Sequence, residues 1–220
     1  MSRTRLGLAL VFLLSAMAEA RSIDDVVRLY GRDARQRLAP AFERSGVTYP
    51  PAHAWLVALK EERRLELWAG GRDRRHIKDY EIQAASGEAG PKRRQGDLQV
   101  PEGLYRILWL NPASSYHLSM KVDYPNEFDR SRARLDGRTT LGGDIFIHGR
   151  AVSIGCLAMG DPAIEELFVL AADTGVKNLR AVIAPHDLRV RKAVVPPEPD
   201  PSWLAELYAI LDEELRRFPR

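Results

Sequence analysis

The chain has 220 residues, of which 45% are apolar and 29% charged, with 16 Gly, 14 Pro and a single Cys. This is the composition of a globular protein, which sets aside collagen-like, disordered and disulfide-framework chains. The 33 basic residues against 30 acidic ones leave a net charge of only +3, so no basic field marks a nucleic-acid partner.

The first twenty residues read as an export signal. Arg3 and Arg5 precede the apolar run LGLALVFLLSA (6–16), and Ala18-Glu19-Ala20 offers small residues before a cut at Arg21. The run is about half the roughly 20 residues a helix needs to span a bilayer, so cleavage is expected and an uncleaved anchor is the alternative. No later segment is apolar enough to span. The chain is therefore expected to be exported.

Residues 21–52 form an N-terminal helix and connector. Ser22 caps a helix over 22–45, Ile23, Val26, Val27, Tyr30, Ala34 and Leu38 recur at helical spacing, and Pro40 and Gly46 mark its end. Two strand-like runs, WLVALK (55–60) and LELWA (65–69), flank a polar turn and read as a hairpin. A short strand is expected at 80–84, then a long Gly- and Pro-rich loop over 86–103. Further strands fall at 105–110, 116–122 and 145–148. Asp161-Pro162 opens a helix whose apolar face is Ile164, Leu167, Phe168 and Ala171, and Gly175 ends it. A strand over 179–184 follows. The unit from 53 to 193 is the body of the protein, and 194–220 is a Pro-rich linker and a C-terminal helix capped by Ser202. Strands do not alternate regularly with helices, so the fold class is mainly β with flanking helices (α+β) rather than a doubly wound sheet.

The chemistry concentrates in DIFIHGRAVSIGCLAMGD (144–161). His148 closes a strand, and Cys156 lies eight residues on, with a turn between them. An imidazole within reach can take a thiol's proton and leave a nucleophile. Gly155 lets the backbone turn beside the Cys, and the neighbouring amides could face an oxyanion. Ser153 could orient His148 or a substrate. Against this, Cys156 between Ile154 and Leu157 also fits a small buried hydrophobe, and His148 a strand histidine bonded to backbone. His53, His76, His117, His148 and His186 are scattered and no second Cys exists, so no metal or other cofactor is expected.

The segment IHGRAVSIGCLAMGD resembles the active-site signature of the L,D-transpeptidase catalytic-domain family, and in particular its proteobacterial branch. The stretches 90–107, 111–130 and 161–171 are similar to that branch as well, so the resemblance covers roughly residues 53–185. It implies a β-sandwich-like domain of mixed sheets and a cysteine acyl-transfer enzyme acting on peptidoglycan stem peptides. Cys would attack a stem carbonyl after a diamino acid, releasing a D-amino acid, and pass the acyl group to another stem, a lipoprotein lysine or water. On that reading Cys156 is the nucleophile, His148 the general base and the Gly149 carbonyl the group that holds the imidazole tautomer. Gly155 and Ser153 match the signature beside the Cys, Asn126 matches the family, and Tyr105, which follows Gly103-Leu104, is a candidate to line the cleft; Tyr105 and Asn126 complete the substrate-binding set. For Tyr105 a core aromatic, and for Asn126 a turn-forming side chain, are the competing roles. Ile154 stands where many members carry His or Arg, and Leu157 where many carry Arg or Asn. Two alternatives to transfer remain open: a hydrolase on the same scaffold, trimming stems or releasing a wall-linked outer-membrane lipoprotein, and a silent wall-binding module.

Overall fold

The computed structural model describes residues 21–88, 90–193 and 201–219, so the expected signal segment and most of the Pro-rich linker lie outside the described residues. The first helix, α1 (Ile23–Ser45), begins where the Ser22 hydroxyl accepts the N–H of Asp25 while the Asp25 carboxylate accepts the N–H of Ser22. This reciprocal pair satisfies two of the donors every helix start leaves open. Gly46, left-handed at φ 71, closes the helix by donating to the carbonyls of Glu43 and Phe42. Pro40 does not end it. Leu38, Ala41 and Phe42 are buried on one face on both sides of the proline, and that packing outweighs the one hydrogen bond a proline cannot donate.

Nine strands follow: β1 (Ala54–Leu59), β2 (Arg64–Gly70), β3 (Arg74–Glu81), β4 (Ala84–Ala85), β5 (Gly103–Asn111), β6 (Ser119–Val122), β7 (Phe146–His148), β8 (Leu157–Ala158) and β9 (Leu179–Ala184). They hydrogen-bond in the order β3-β2-β1-β9-β5-β6-β7-β8-β4. The β1–β9 and β7–β8 pairs are parallel and the rest antiparallel. β5 joins the two halves. Gly103–Arg106 pair with β9, whereas Ile107–Asn111 pair with β6 through an irregularity between Ile107 and Trp109. A strand that changes partner along its length, with extra twist at the irregularity, makes the mixed sheet curl. The hairpin formed by β1 and β2 is as expected. β3 instead starts well before residue 80, because only Ile77 and Tyr80 of this edge strand are buried and its other residues carry charge or exposure.

Three further helices flank the sheet. α2 (Glu127–Leu135) is built on a capping box between Asn126 and Asp129 and buries only Ala133, so no apolar stripe announced it. The cap of α3 (Asp161–Thr174) falls one residue earlier than expected: Gly160 is the cap, and Asp161 lies inside the helix. α4 (Leu204–Leu215) is preceded by Trp203, with no side-chain cap from Ser202. Among the described residues, no helix is long and apolar enough to cross a membrane.

The central strands are covered on both faces. Leu56, Ala58, Leu65 and Leu67 pack with Leu38 and Phe42 of α1 and Leu167 and Phe168 of α3. Val57, Leu59, Trp68 and Val182 point the other way, onto Leu207, Leu211 and Leu215 of α4 and the following Phe218. Burial on both faces explains why WLVALK is apolar throughout rather than alternating. Each fully buried Leu or Phe contributes about 1.5–3 kcal/mol.

Candidate active site

β7 and β8 are adjacent parallel strands, with Ile147 opposite Leu157 and His148 opposite Ala158. Cys156 lies in the bend that leads directly into β8, one residue before Leu157. Cys156 and His148 both line a cleft of about 610 Å³, together with Tyr116, Ser119, Phe146 and Ser153. The loop between them is pinned at its ends, where Gly149 N–H donates to Leu118 O (3.1 Å), Met159 N–H to His148 O (2.8 Å) and Gly160 N–H to Arg150 O (3.0 Å).

His148 is only 2% exposed. Its Nδ1 lies 2.6 Å from the Gly149 carbonyl, and because a carbonyl can only accept, Nδ1 carries the proton and Nε2 the lone pair. The ring of Tyr116 lies 4.7 Å from the imidazole, centroid to centroid. Burial holds the imidazole pKa below 6.5, and the bond to Gly149 opposes that shift. The ring is therefore neutral at pH 7 and able to accept a proton at Nε2.

Cys156 is partly buried, and burial pushes its thiol pKa above 9.0. A hydrogen bond with the Phe146 backbone and the charge of Lys121 act in the opposite sense. The thiol also lies 3.7 Å from the Asp144 carbonyl, to which it donates. The resting pair is thus a thiol beside a neutral imidazole, not a preformed ion pair.

Ser153 organises the turn into Cys156. Its hydroxyl accepts the N–H groups of Gly155 (3.3 Å) and Cys156 (3.1 Å) and donates to the Cys156 carbonyl (2.7 Å). This corrects the expectation that those amides face an oxyanion, since both are already engaged by Ser153. Gly155 has φ 116, and a Cβ there would sit 3.2 Å from the Gln99 carbonyl, so glycine fits both the backbone and the space. At Gly149 a Cβ would come within 2.7 Å of both the Asp161 carboxylate and the Tyr116 carbonyl. That crowding is why the residue holding the imidazole has no side chain.

Tyr105 and Asn126 lie elsewhere. Both line a second cavity with Trp55, Arg74 and Arg180, away from Cys156. Tyr105 is buried, its hydroxyl donating to Glu102 O (3.1 Å) and to Asp129 Oδ1 (3.3 Å). Asn126 caps α2, and its Nδ2 donates to Leu104 O (2.9 Å). β5 alternates, and its buried face carries Tyr105 inward onto Tyr124, 6.3 Å between ring centroids, rather than toward the cleft. His117 meets Glu165 (3.0 Å) and Tyr30, and Asp187 binds Arg189, both away from the cleft. The reading from sequence did not single out Asn111, Tyr116 and Ser119 as site residues. Alternation along YHLSMKV was the signal for Ser119, which pairs with both Asn111 and His148. Among the described residues, no group of three or more His, Cys, Asp or Glu is placed to hold a metal ion.

Known proteins resemble this chain in sequence and in fold. The model of the L,D-transpeptidase catalytic domain matches residues 53–183. The chain is 38% identical over 117 residues to YafK of Escherichia coli K12, whose name marks it as a candidate L,D-transpeptidase. That match takes in 52% of this chain and 45% of the relative, so the chain spans less than half the length of the curated relative it matches. A point variant of the helical cell shape determining protein Pgp2 from Campylobacter jejuni has a similar fold, with a TM-score of 0.50 and 19% identity, covering 74% of this chain and 54% of that one.

Proposed function

Since this chain belongs to the L,D-transpeptidase catalytic-domain family, we propose that it is an exported cysteine acyltransferase acting on peptidoglycan stem peptides in the periplasm. The export half of this reading rests on the N-terminal pattern Arg3, Arg5 and the apolar run after them. The catalytic half rests on one observation: His148, at the end of β7, and Cys156, directly before β8, line the same cleft, with the imidazole tautomer fixed by Gly149.

In this mechanism the stem carbonyl enters the cleft. Sγ of Cys156 forms a bond to the carbonyl carbon while Nε2 of His148 takes the thiol proton. The tetrahedral adduct collapses by breaking the C–N bond to the terminal D-amino acid, whose amine leaves with the proton from His148. The thioester then meets an acceptor amine. His148 takes that amine's proton, a new amide forms, and the thiol is restored. Water in place of the amine turns the same cycle into hydrolysis. Ser153 keeps the sulfur's backbone in place throughout.

The test is incubation of the full-length protein with disaccharide-tetrapeptides, followed by mass spectrometry. Dimers joined through two diamino residues are the expected product, and Cys156→Ala and His148→Gln should abolish them. Trimmed monomers alone would reassign the protein as a hydrolase. No product and no covalent intermediate in the wild type would leave a non-catalytic wall-binding module.

A further inference from the structure

We propose that Asp144, in the cleft beside Cys156, and Lys121, directly behind it, form an exchangeable anion subsite, which selects acyl donors that carry a carboxylate. This rests on the acyl-transfer reading above and adds the chemical class of the donor.

Lys121 lies on β6, opposite Phe146 of β7 on one side and Trp109 of β5 on the other. Phe146 and His148 share a face, so Lys121 belongs to the same surface as the proposed catalytic pair. Its ammonium sits 4.7 Å from the centre of the Phe146 ring, and that ring is packed edge-on against Trp109 at 5.7 Å. The lysine side chain is only 12% exposed. Its salt-bridge partner is Asp144, 2.9 Å away, whose side chain is 93% exposed.

That asymmetry makes the pair exchangeable. An ammonium largely withdrawn from water needs a counter-anion. A carboxylate that is almost fully hydrated loses little by leaving, and a second carboxylate in its place keeps the ammonium paired. Asp144 also lines the cleft, directly after Gly142 and Gly143, so an incoming carboxylate meets the position it occupies. Lys92, which lines the cleft itself, does not offer this. It donates to Arg94 O and to Asp97, and Asp97 is itself held by the N–H groups of Arg93, Arg94 and Gln99. The charges reach the nucleophile as well: Lys121 lowers the thiol pKa and Asp144 raises it. Replacing Asp144 by a substrate carboxylate therefore seats the donor within two strands of the sulfur.

The experiment compares alkylation of Cys156 by iodoacetate and by iodoacetamide, two reagents of similar size that differ in charge, with intact mass as the readout on the full-length protein. The ratio of their rates measures the field an anion meets on reaching the sulfur. Lys121→Met should lower the ratio about three- to tenfold, as expected for one charge at this range in a partly aqueous cleft. Asp144→Asn should raise it by a similar factor, and Lys121→Arg should preserve it. Asp144 is exposed, so its variant reads the subsite even if Lys121→Met fails to fold. A ratio that is the same in wild type and Asp144→Asn overturns the subsite, as does a folded wild type that neither reagent alkylates. Alkylation needs no acyl transfer, so a charge-dependent ratio without any muropeptide product would keep the subsite and sink the enzyme. A product whose yield is unchanged by amidating the donor carboxylate, from wild type and Lys121→Met alike, would do the reverse.

Discussion

His148 donates its Nδ1 proton to the carbonyl of Gly149, its immediate neighbour, at 2.6 Å. A bond that closes within two consecutive residues needs no third side chain to orient the ring. It does require that nothing crowd residue 149, and Gly149 meets that requirement.

The protonation of the pair predicts a pH profile. Burial lowers the His148 pKa below 6.5 and raises that of Cys156 above 9.0. Between those values both groups are neutral. Below the imidazole pKa the base is already protonated, so acylation of Cys156 by a carbapenem should fall on an acid limb centred below pH 6.5. Simple alkylation by iodoacetamide follows the thiolate, so it should climb in one step with a midpoint above pH 9. A plateau of fast alkylation between pH 6 and 8 would show a standing thiolate–imidazolium pair instead, and would contradict the neutral resting state.

Ser153 predicts a separation of activity from stability. Removing its hydroxyl in Ser153→Ala frees the N–H groups of Gly155 and Cys156 and one acceptor at the Cys156 carbonyl. The expected stability loss is about 1–2 kcal/mol, that of a few partly solvated hydrogen bonds. The acylation rate should fall further, about 10- to 100-fold, because a turn left free to move misplaces the sulfur. Ser153→Thr keeps the hydroxyl and should recover most of the rate. Equal losses in rate for the Ala and Thr variants would remove Ser153 from the positioning role.

Much of this arrangement was legible in the residues. IFIH and the Gly-Cys pair placed a strand, a turn and a sulfur in order, and the helices around Leu38 and Leu167 carry plain apolar stripes. What escaped depends on contacts distant in sequence. Tyr105 looked like a cleft residue because it follows a glycine, but the change of partner along β5 puts it in the core. Asn126 looked like a site residue and is a helix cap, in a helix too polar to show a period. Lys121 was invisible as a site residue because its meaning lies in Phe146 and Asp144, which only strand register brings beside it.

Asp129 predicts a pH-dependent stability term. Its carboxylate accepts the Asn126 N–H (2.9 Å) and the Tyr105 hydroxyl (3.3 Å), and burial, the largest influence, raises its pKa to about 6. A folded pKa above the unfolded value of 3.8 means that the folded chain holds the proton more tightly. The associated stability is present in full below pH 3.8 and is lost as pH rises through about 6. Asp129→Asn cannot ionise. Its Oδ1 can still accept the Asn126 N–H, and its Nδ2 can donate to the Tyr105 oxygen. Relative to the wild type, the variant should gain about 1–3 kcal/mol between pH 4 and 7. Urea midpoints for both proteins across that range would show it, and parallel curves would refute the raised pKa.

The outer layer of the sheet supplies the last prediction. Leu211 of α4 is fully buried against strands β1, β2 and β9, on the face opposite the contacts with α1 and α3. Among the described residues lining the cleft, none comes from α4. Leu211→Ala should therefore destabilise the fold by about 2–5 kcal/mol, the range for a leucine truncated in a packed core. Below its lowered melting temperature the variant should still be acylated by a carbapenem at the wild-type rate, because β7 and β8 keep their register without help from that layer. If the acylation rate dropped while circular dichroism showed a folded protein, α4 would be coupled to the cleft through β9 and β5, and the separation of the two faces would fail.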